Sequence, residues 1–162
     1  MSAIPLHPAI VHFPIVFAVL LPLVAVGALI AIRRGATPSK VWSVPVLAGM
    51  LLLGSGYAAV RTGEAQEAAV EDVVPEQVLH EHEEAGEQFL QISVLVVGMA
   101  ALGLLKHRAG RYARMLATAG TVVLLAMGLR LGHSGGELVY RHGAANAYAD
   151  AAGPLPVPAV RD

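Results

Sequence analysis

Histidine is the residue type best suited to chemistry in this chain. The sequence has seven histidines and no cysteine. Six of the histidines form three pairs along the chain: His7 and His12, His80 and His82, and His133 and His142. Imidazole is the commonest metal ligand in proteins and the usual axial ligand of b-type haem. The lack of cysteine excludes thiolate metal sites, iron–sulfur ligation and covalent haem attachment. The residue types therefore predict a histidine-ligated haem or metal site.

The composition predicts a membrane protein. The 162-residue chain is 56% hydrophobic and 14% charged, and its mean hydropathy is +0.62, whereas a soluble domain averages about 25% charged residues. A net charge of -1 gives no electrostatic footprint for nucleic acid. No basic residue precedes the first apolar segment and no cleavage site directly follows it, so we interpret it as a helix rather than a signal peptide.

Four apolar runs predict four membrane-spanning helices. They cover residues 9–32, 41–60, 89–105 and 113–131, and each is close to the roughly 20 residues that cross a bilayer as a helix. We therefore predict an all-α bundle of four transmembrane helices over residues 1–145. Three prolines after residue 150 predict a flexible tail over residues 146–162.

The charges of the loops predict an orientation. Six of the eleven basic residues lie between runs one and two or between runs three and four, and a seventh, Arg114, lies at the start of run four. The positive-inside rule places these two loops in the cytoplasm. Both termini would then be periplasmic, and the chain would be a multi-pass protein of the bacterial inner membrane.

The remaining loop, residues 64–87, is acidic. It holds nine of the twelve acidic residues and no Lys or Arg. Good helix formers on both sides of Pro75 predict that helices two and three extend beyond the membrane into this loop. We interpret the loop either as a solvated acidic surface or as a docking surface for a soluble or membrane-bound electron-transfer partner.

This topology places every histidine except His107 at the outer side. His12 starts the first helix, where it could face inward. On a helix, His80 and His82 point roughly 200° apart, so only one can face a common site, and we favour His82.

The fourth helix is predicted to end at His133. Gly135 and Gly136 follow it and allow a tight reversal that would fold His142 back over the bundle mouth. Arg130 lies one turn earlier, where a charge is costly and tends to be paired. Three partners are possible for Arg130: Glu137, one of the acidic residues of the outer loop, or a haem propionate. The alternative is that Arg130 snorkels to the interface and has no partner.

Two motifs resemble a known family. Residues 6–14, LHPAIVHFP, and residues 135–143, GGELVYRHG, resemble a bacterial membrane family labelled as a domain of unknown function, number 2231. The resemblance covers residues 6–143 and implies an inner-membrane protein of four helices. It also implies a histidine before the third helix, matched here by His80 or His82, but it supplies no activity.

The first functional prediction is a non-catalytic redox module that binds haem b near the periplasmic surface. Its candidate cofactor-binding residues are His7, His12, His82, His133, His142 and Arg130. The alternatives are a copper or zinc site, for which His80 joins the same histidines, a proton relay of histidines and carboxylates, and a cofactor-free structural subunit. Association with the lipid bilayer is predicted, and association with further copies of the chain is open.

Overall fold

The computed structural model describes residues 6–148, and this part of the chain contains helices and no strand. The helices are α1 (His7–Ile10), α2 (His12–Arg33), α3 (Pro38–Glu64), α4 (Glu67–Val70), α5 (Glu76–Leu102) and α6 (Arg108–Tyr140). Of the predicted tail over residues 146–162, only residues 146–148 are described, and they are helical; the rest lies outside the described residues.

Four stretches of helix have the length and apolar character needed to cross a bilayer. They are His7–Arg33, which joins α1 and α2, and the single helices α3, α5 and α6. The predicted all-α architecture with four membrane-length helices is therefore confirmed. Large apolar side chains such as Leu23, Leu47, Leu95 and Leu129 are exposed on the outside of the bundle, where they meet lipid.

The four long helices form a closed ring. α2 packs against α3 and α6, and α5 packs against the same two helices. Many of the residues at the helix contacts are small, as membrane helices require for close approach. Ala18, Gly49, Ala117 and Gly128 are buried there.

The two ends of the ring differ in charge. We call the end where α2 begins, α3 ends, α5 begins and α6 ends the acidic end, because residues 64–87 lie there. The opposite end carries the loops at residues 34–37 and 103–107, and we call it the basic end. Any polar chemistry has to take place at one of these ends, because the spans between them are apolar.

A buried tryptophan and a buried arginine close the basic end. The indole Nε1–H of Trp42 donates a hydrogen bond of 2.9 Å to the carbonyl of Ala100, and a Cβ on Gly103 would overlap that indole nitrogen. Arg114 is 6% exposed and donates to the carbonyls of Gly103 and Leu105. A cation is favourable there because these carbonyls lie at the C-terminal end of α5.

The first span is interrupted at Val11, which lies between α1 and α2. Pro14 is buried in the first turn of α2. A proline has no N–H to offer the carbonyl four residues earlier, and its ring clashes with that carbonyl, here the carbonyl of Ile10. The short helix α1, which carries His7, is thus a separate segment, and it packs mainly against α3.

The prediction of a glycine turn after His133 is wrong. α6 continues through Gly132, Gly135 and Gly136 and ends at Tyr140. The chain changes direction only at Gly143, whose φ is 74°. Of these three glycines only Gly135 is tightly packed: a Cβ there would lie 3.2 Å from His82, whereas a Cβ on Gly132 would make an ordinary contact with Ile15 at 3.7 Å and a Cβ on Gly136 would meet nothing within 4 Å.

Candidate functional site

His7 is fixed against the end of α3. Its Nδ1 lies 2.8 Å from the carbonyl oxygen of Ala59 and 3.4 Å from the hydroxyl of Thr62. The ring lies over Gly63, where an added Cβ would approach it to 3.3 Å. A carbonyl can only accept a hydrogen bond, so Nδ1 of His7 carries the proton. The neutral ring then has an unprotonated Nε2.

His82 is fixed in a similar way against α6. Its Nδ1 lies 2.8 Å from the hydroxyl oxygen of Ser134, and that hydroxyl donates to the carbonyl of Leu131 at 3.0 Å. Because the hydroxyl proton is engaged by Leu131, Ser134 accepts from the Nδ1–H of His82. The glycine beneath this ring is Gly135. His82 therefore also has an unprotonated Nε2.

The two imidazoles share one chemical state. Both are half-buried, and in residues 6–148 neither Nε2 has a hydrogen-bond partner. No buried side-chain nitrogen or oxygen lacks a partner in this part of the chain, so both Nε2 atoms reach the molecular surface. An imidazole that donates one N–H to a protein oxygen and leaves the other nitrogen free is the usual arrangement of a metal-ligating histidine.

Electrostatics also favour the neutral form of His82. This residue precedes the apolar part of α5, which begins near Phe89. Burial lowers the pKa of His82 below its ordinary value, and a positive charge on a protonated His7 would lower this pKa further, because like charges repel. A neutral imidazole has the lone pair that a metal ligand or a proton acceptor needs.

The other predicted histidines do not join this pair. His12 is exposed at the start of α2 rather than turned inward, and His133 is exposed on α6. His80 is exposed and lies 3.9 Å from Glu84. His142 is half-buried beyond the end of α6. Across residues 6–148, no three or more side chains of His, Cys, Asp or Glu are arranged to hold a metal ion.

Arg130 does not pair with Glu137. The carboxylate of Glu137 instead lies 3.3 Å from Arg141, one helical turn further along α6. Arg130 is exposed on the side of the bundle that carries Leu129, so snorkelling to the interface accounts for it. The prediction that Glu137 pairs with Arg130 is wrong, because Arg141 lies four residues after Glu137 on the same helix face and pairs with it instead.

An acidic cavity also lies at the acidic end, and neither His7 nor His82 lines it. It has a volume of about 460 Å³ and is lined by Glu67, Glu71, Asp72, Glu76, Leu79, His80 and Glu83. Burial and the neighbouring charge of Glu67 raise the pKa of Glu83. The cavity and the histidine pair are thus distinct features of the same end.

Ser134 and the carbonyl of Ala59 are the site groups that sequence reasoning missed. A backbone carbonyl leaves no trace in residue types. Ser134 does leave one, because it lies directly before Gly135 in a motif-like stretch. Sequence reasoning misses Ser134 because the two glycines that follow it indicate a turn rather than a helix.

The fold and the placement of polar groups define a class. A ring of four membrane-length helices, with its hydrogen-bonded imidazoles confined to one end, is a multi-pass membrane protein. The chain belongs to the family described as "Predicted membrane protein (DUF2231)", whose model matches residues 3–148. No curated protein and no solved structure matches the chain.

Two adjacent glycines give a matched test of the His82 position. Gly135→Ala should displace the imidazole, because the new Cβ would lie 3.2 Å from its Cε1, whereas Gly136→Ala meets nothing within 4 Å. Overpacking of this kind destabilises by about 1–3 kcal/mol. We expect Gly135→Ala to shift the His82 Cε1–H NMR signal and to lower the unfolding midpoint relative to Gly136→Ala. Equal behaviour of the two variants would contradict the packing described.

Proposed function

We propose that His7 and His82 are the two axial ligands of a b-type haem at the acidic end, and that the protein is an electron-transfer module. One observation carries the proposal: each ring holds its Nδ1–H in a hydrogen bond and presents a free Nε2. Two histidines at the same end of the bundle, each with a free Nε2, are the ligand set that a bis-imidazole haem requires.

The number of available ligands favours haem over copper or zinc. A haem iron receives four nitrogens from the porphyrin and needs only two from the protein, whereas zinc takes three or four protein ligands. In the described part of the chain the histidine pair has no third metal-ligating side chain beside it. The chain has no Cys, which argues against a soft copper(I) site.

The position of the porphyrin is restricted to the end of the bundle. The cavity inside the apolar bundle, beside Trp42 and Thr121, has a volume of about 10 Å³, roughly enough for one water molecule. A porphyrin would therefore bind at the acidic end, outside the apolar interior of the bundle. Bound there, the haem would supply a one-electron iron couple. Ala59 and Ser134 would hold the two Nδ1 protons and orient the rings.

A difference spectrum tests this proposal. The full chain, purified in detergent from haem-replete cells, should show a b-type α band in its reduced-minus-oxidised spectrum and bind iron. His7→Ala and His82→Ala should abolish the band. His12→Ala and His133→Ala should retain it, because both side chains are exposed and in the described residues neither joins a group of potential metal ligands.

The other outcomes have defined meanings. A featureless spectrum with stoichiometric copper or zinc would overturn the haem and replace it with a metal site. A featureless spectrum without bound metal would also overturn it. The hydrogen bonds of His7 and His82 would then be contacts that fasten α1 to α3 and α5 to α6 in a structural subunit.

The charge asymmetry supports an orientation in which the acidic end faces the periplasm across a bacterial inner membrane. Because the chain has no Cys, single cysteines can report it. Glu71→Cys and Ala109→Cys place exposed thiols at opposite ends. An impermeant maleimide applied to intact cells should label the first, and it should label the second only after permeabilisation. The reverse pattern would contradict the orientation.

The acidic cavity supports docking of a basic soluble electron carrier. Neutralising three of its carboxylates, with Glu71→Gln, Asp72→Asn and Glu76→Gln together, should slow electron transfer to a basic soluble cytochrome by at least about ten-fold at low salt. A control triple at Glu81, Glu84 and Glu87, which are exposed but do not line the cavity, should have a smaller effect. Equal effects of the two triples would sink the docking proposal while leaving the haem proposal intact.

A further inference from the structure

The basic end carries six exposed cationic side chains. They are Arg33, Arg34, Lys40, Lys106, Arg108 and Arg111, and we call them the basic patch. They come from two loops and the helix ends beside them. The sequence has no Asp or Glu in residues 1–63 or in residues 88–136. No carboxylate of these two hairpins can therefore neutralise the patch.

The fold brings the two loops together. Trp42, near the start of α3, hydrogen-bonds to the last turns of α5 and packs against Gly103. Arg114 packs against Gly103 from α6. The cations of the α2–α3 loop and those of the α5–α6 loop thus surround one buried cluster. Arg114 is not part of the patch, because it is buried and hydrogen-bonded to α5 carbonyls.

Two of the cations at the acidic end are in a different situation. Arg61 forms an ion pair with Glu64, and Arg141 lies 3.3 Å from Glu137. Within residues 6–148, no ion pair includes a residue of the basic patch. This part of the chain therefore supplies the patch with no counter-charge.

The place of the patch indicates what that counter-charge is. Its residues flank the ends of all four apolar spans, so in a bilayer they lie at the depth of the phospholipid headgroups. Arginine forks match phosphate oxygens, and lysine supplies a further positive charge. Juxtamembrane cations of this kind attract anionic lipids. We propose that the basic patch binds the headgroups of anionic phospholipids.

An exposed tryptophan beside the patch provides the assay. Trp42, the only Trp of the chain, is fully buried, whereas Tyr112 is exposed and its ring lies under Arg111. Tyr112→Trp is therefore introduced into the natural chain and into each variant, and quenching of its fluorescence by brominated lipid, after subtraction of the Trp42 emission of the chain without this reporter, reports the lipid beside this end. The full chain is reconstituted in phosphatidylcholine vesicles that contain either brominated phosphatidylglycerol or brominated phosphatidylcholine. The ratio of the two quenching curves gives the preference for the anionic lipid.

We expect the natural chain to prefer phosphatidylglycerol by at least about five-fold at low salt. The triple variant Lys40→Gln, Arg108→Gln and Arg111→Gln should bring the preference close to one. A triple at Arg61, Arg130 and Arg141 removes the same charge from the opposite end and should keep it. Arg108→Gln alone should be intermediate, and it serves if the triple variant unfolds.

Three results would overturn the proposal: no preference in the natural chain, equal losses in the two triples, or loss of the preference when inorganic phosphate is added at matched ionic strength. The last result would identify a site for free phosphate rather than for a lipid headgroup. The assay does not depend on haem, so its outcome is independent of the function proposed for His7 and His82.

Discussion

The hydrocarbon core of a bilayer offers no hydrogen bonds, and the rest of this structure follows from that constraint. Every backbone N–H and C=O inside the core has to be satisfied within its own helix. The chain meets this requirement with four long helices whose outer faces are apolar and whose inner contacts use small residues. In the described residues its ion pairs and its histidine pair consequently lie at the acidic end, and six exposed cations without an ion pair lie together at the basic end. The chemistry open to this protein therefore depends on which polar groups lie together at its acidic end and at its basic end.

At the acidic end, a histidine ring fixes α1 against α3 and a second histidine ring fixes α5 against α6 by the same kind of contact. His7 rests on Gly63 and donates to a carbonyl of α3, and His82 rests on Gly135 and donates to a hydroxyl of α6. A glycine beneath each ring lets the helices approach, and a single acceptor beside each ring fixes its tautomer. The result is two imidazoles, each held by its Nδ1 and each with an Nε2 that has no partner in the described residues.

The spans could be predicted from the sequence because hydrophobicity is a property of many residues at once. The site could be predicted only in part. The angular separation of His80 and His82 on a helix showed that only one faces inward, and the structure places His82 there. Sequence reasoning mispredicts the course of α6, because the glycines at 132, 135 and 136 indicate a turn. The close contact between Gly135 and the ring of His82 is visible only in the structure. Ser134 could not be predicted as the partner of His82, because the two residues are 52 positions apart in sequence. Their contact depends on α6 being helical at Ser134.

The separation of charge along the chain has a consequence for insertion. With its cations at one end and most of its carboxylates at the other, the molecule is an electric dipole parallel to the helix axes. A membrane potential acts on such a dipole with opposite sign for the two insertion directions, by about 2.3 kcal/mol for each elementary charge moved through 100 mV. The membrane potential therefore adds an energy difference between the two insertion directions to the local preferences of the loops. Once the bundle has formed in the favoured direction, this energy difference opposes its inversion.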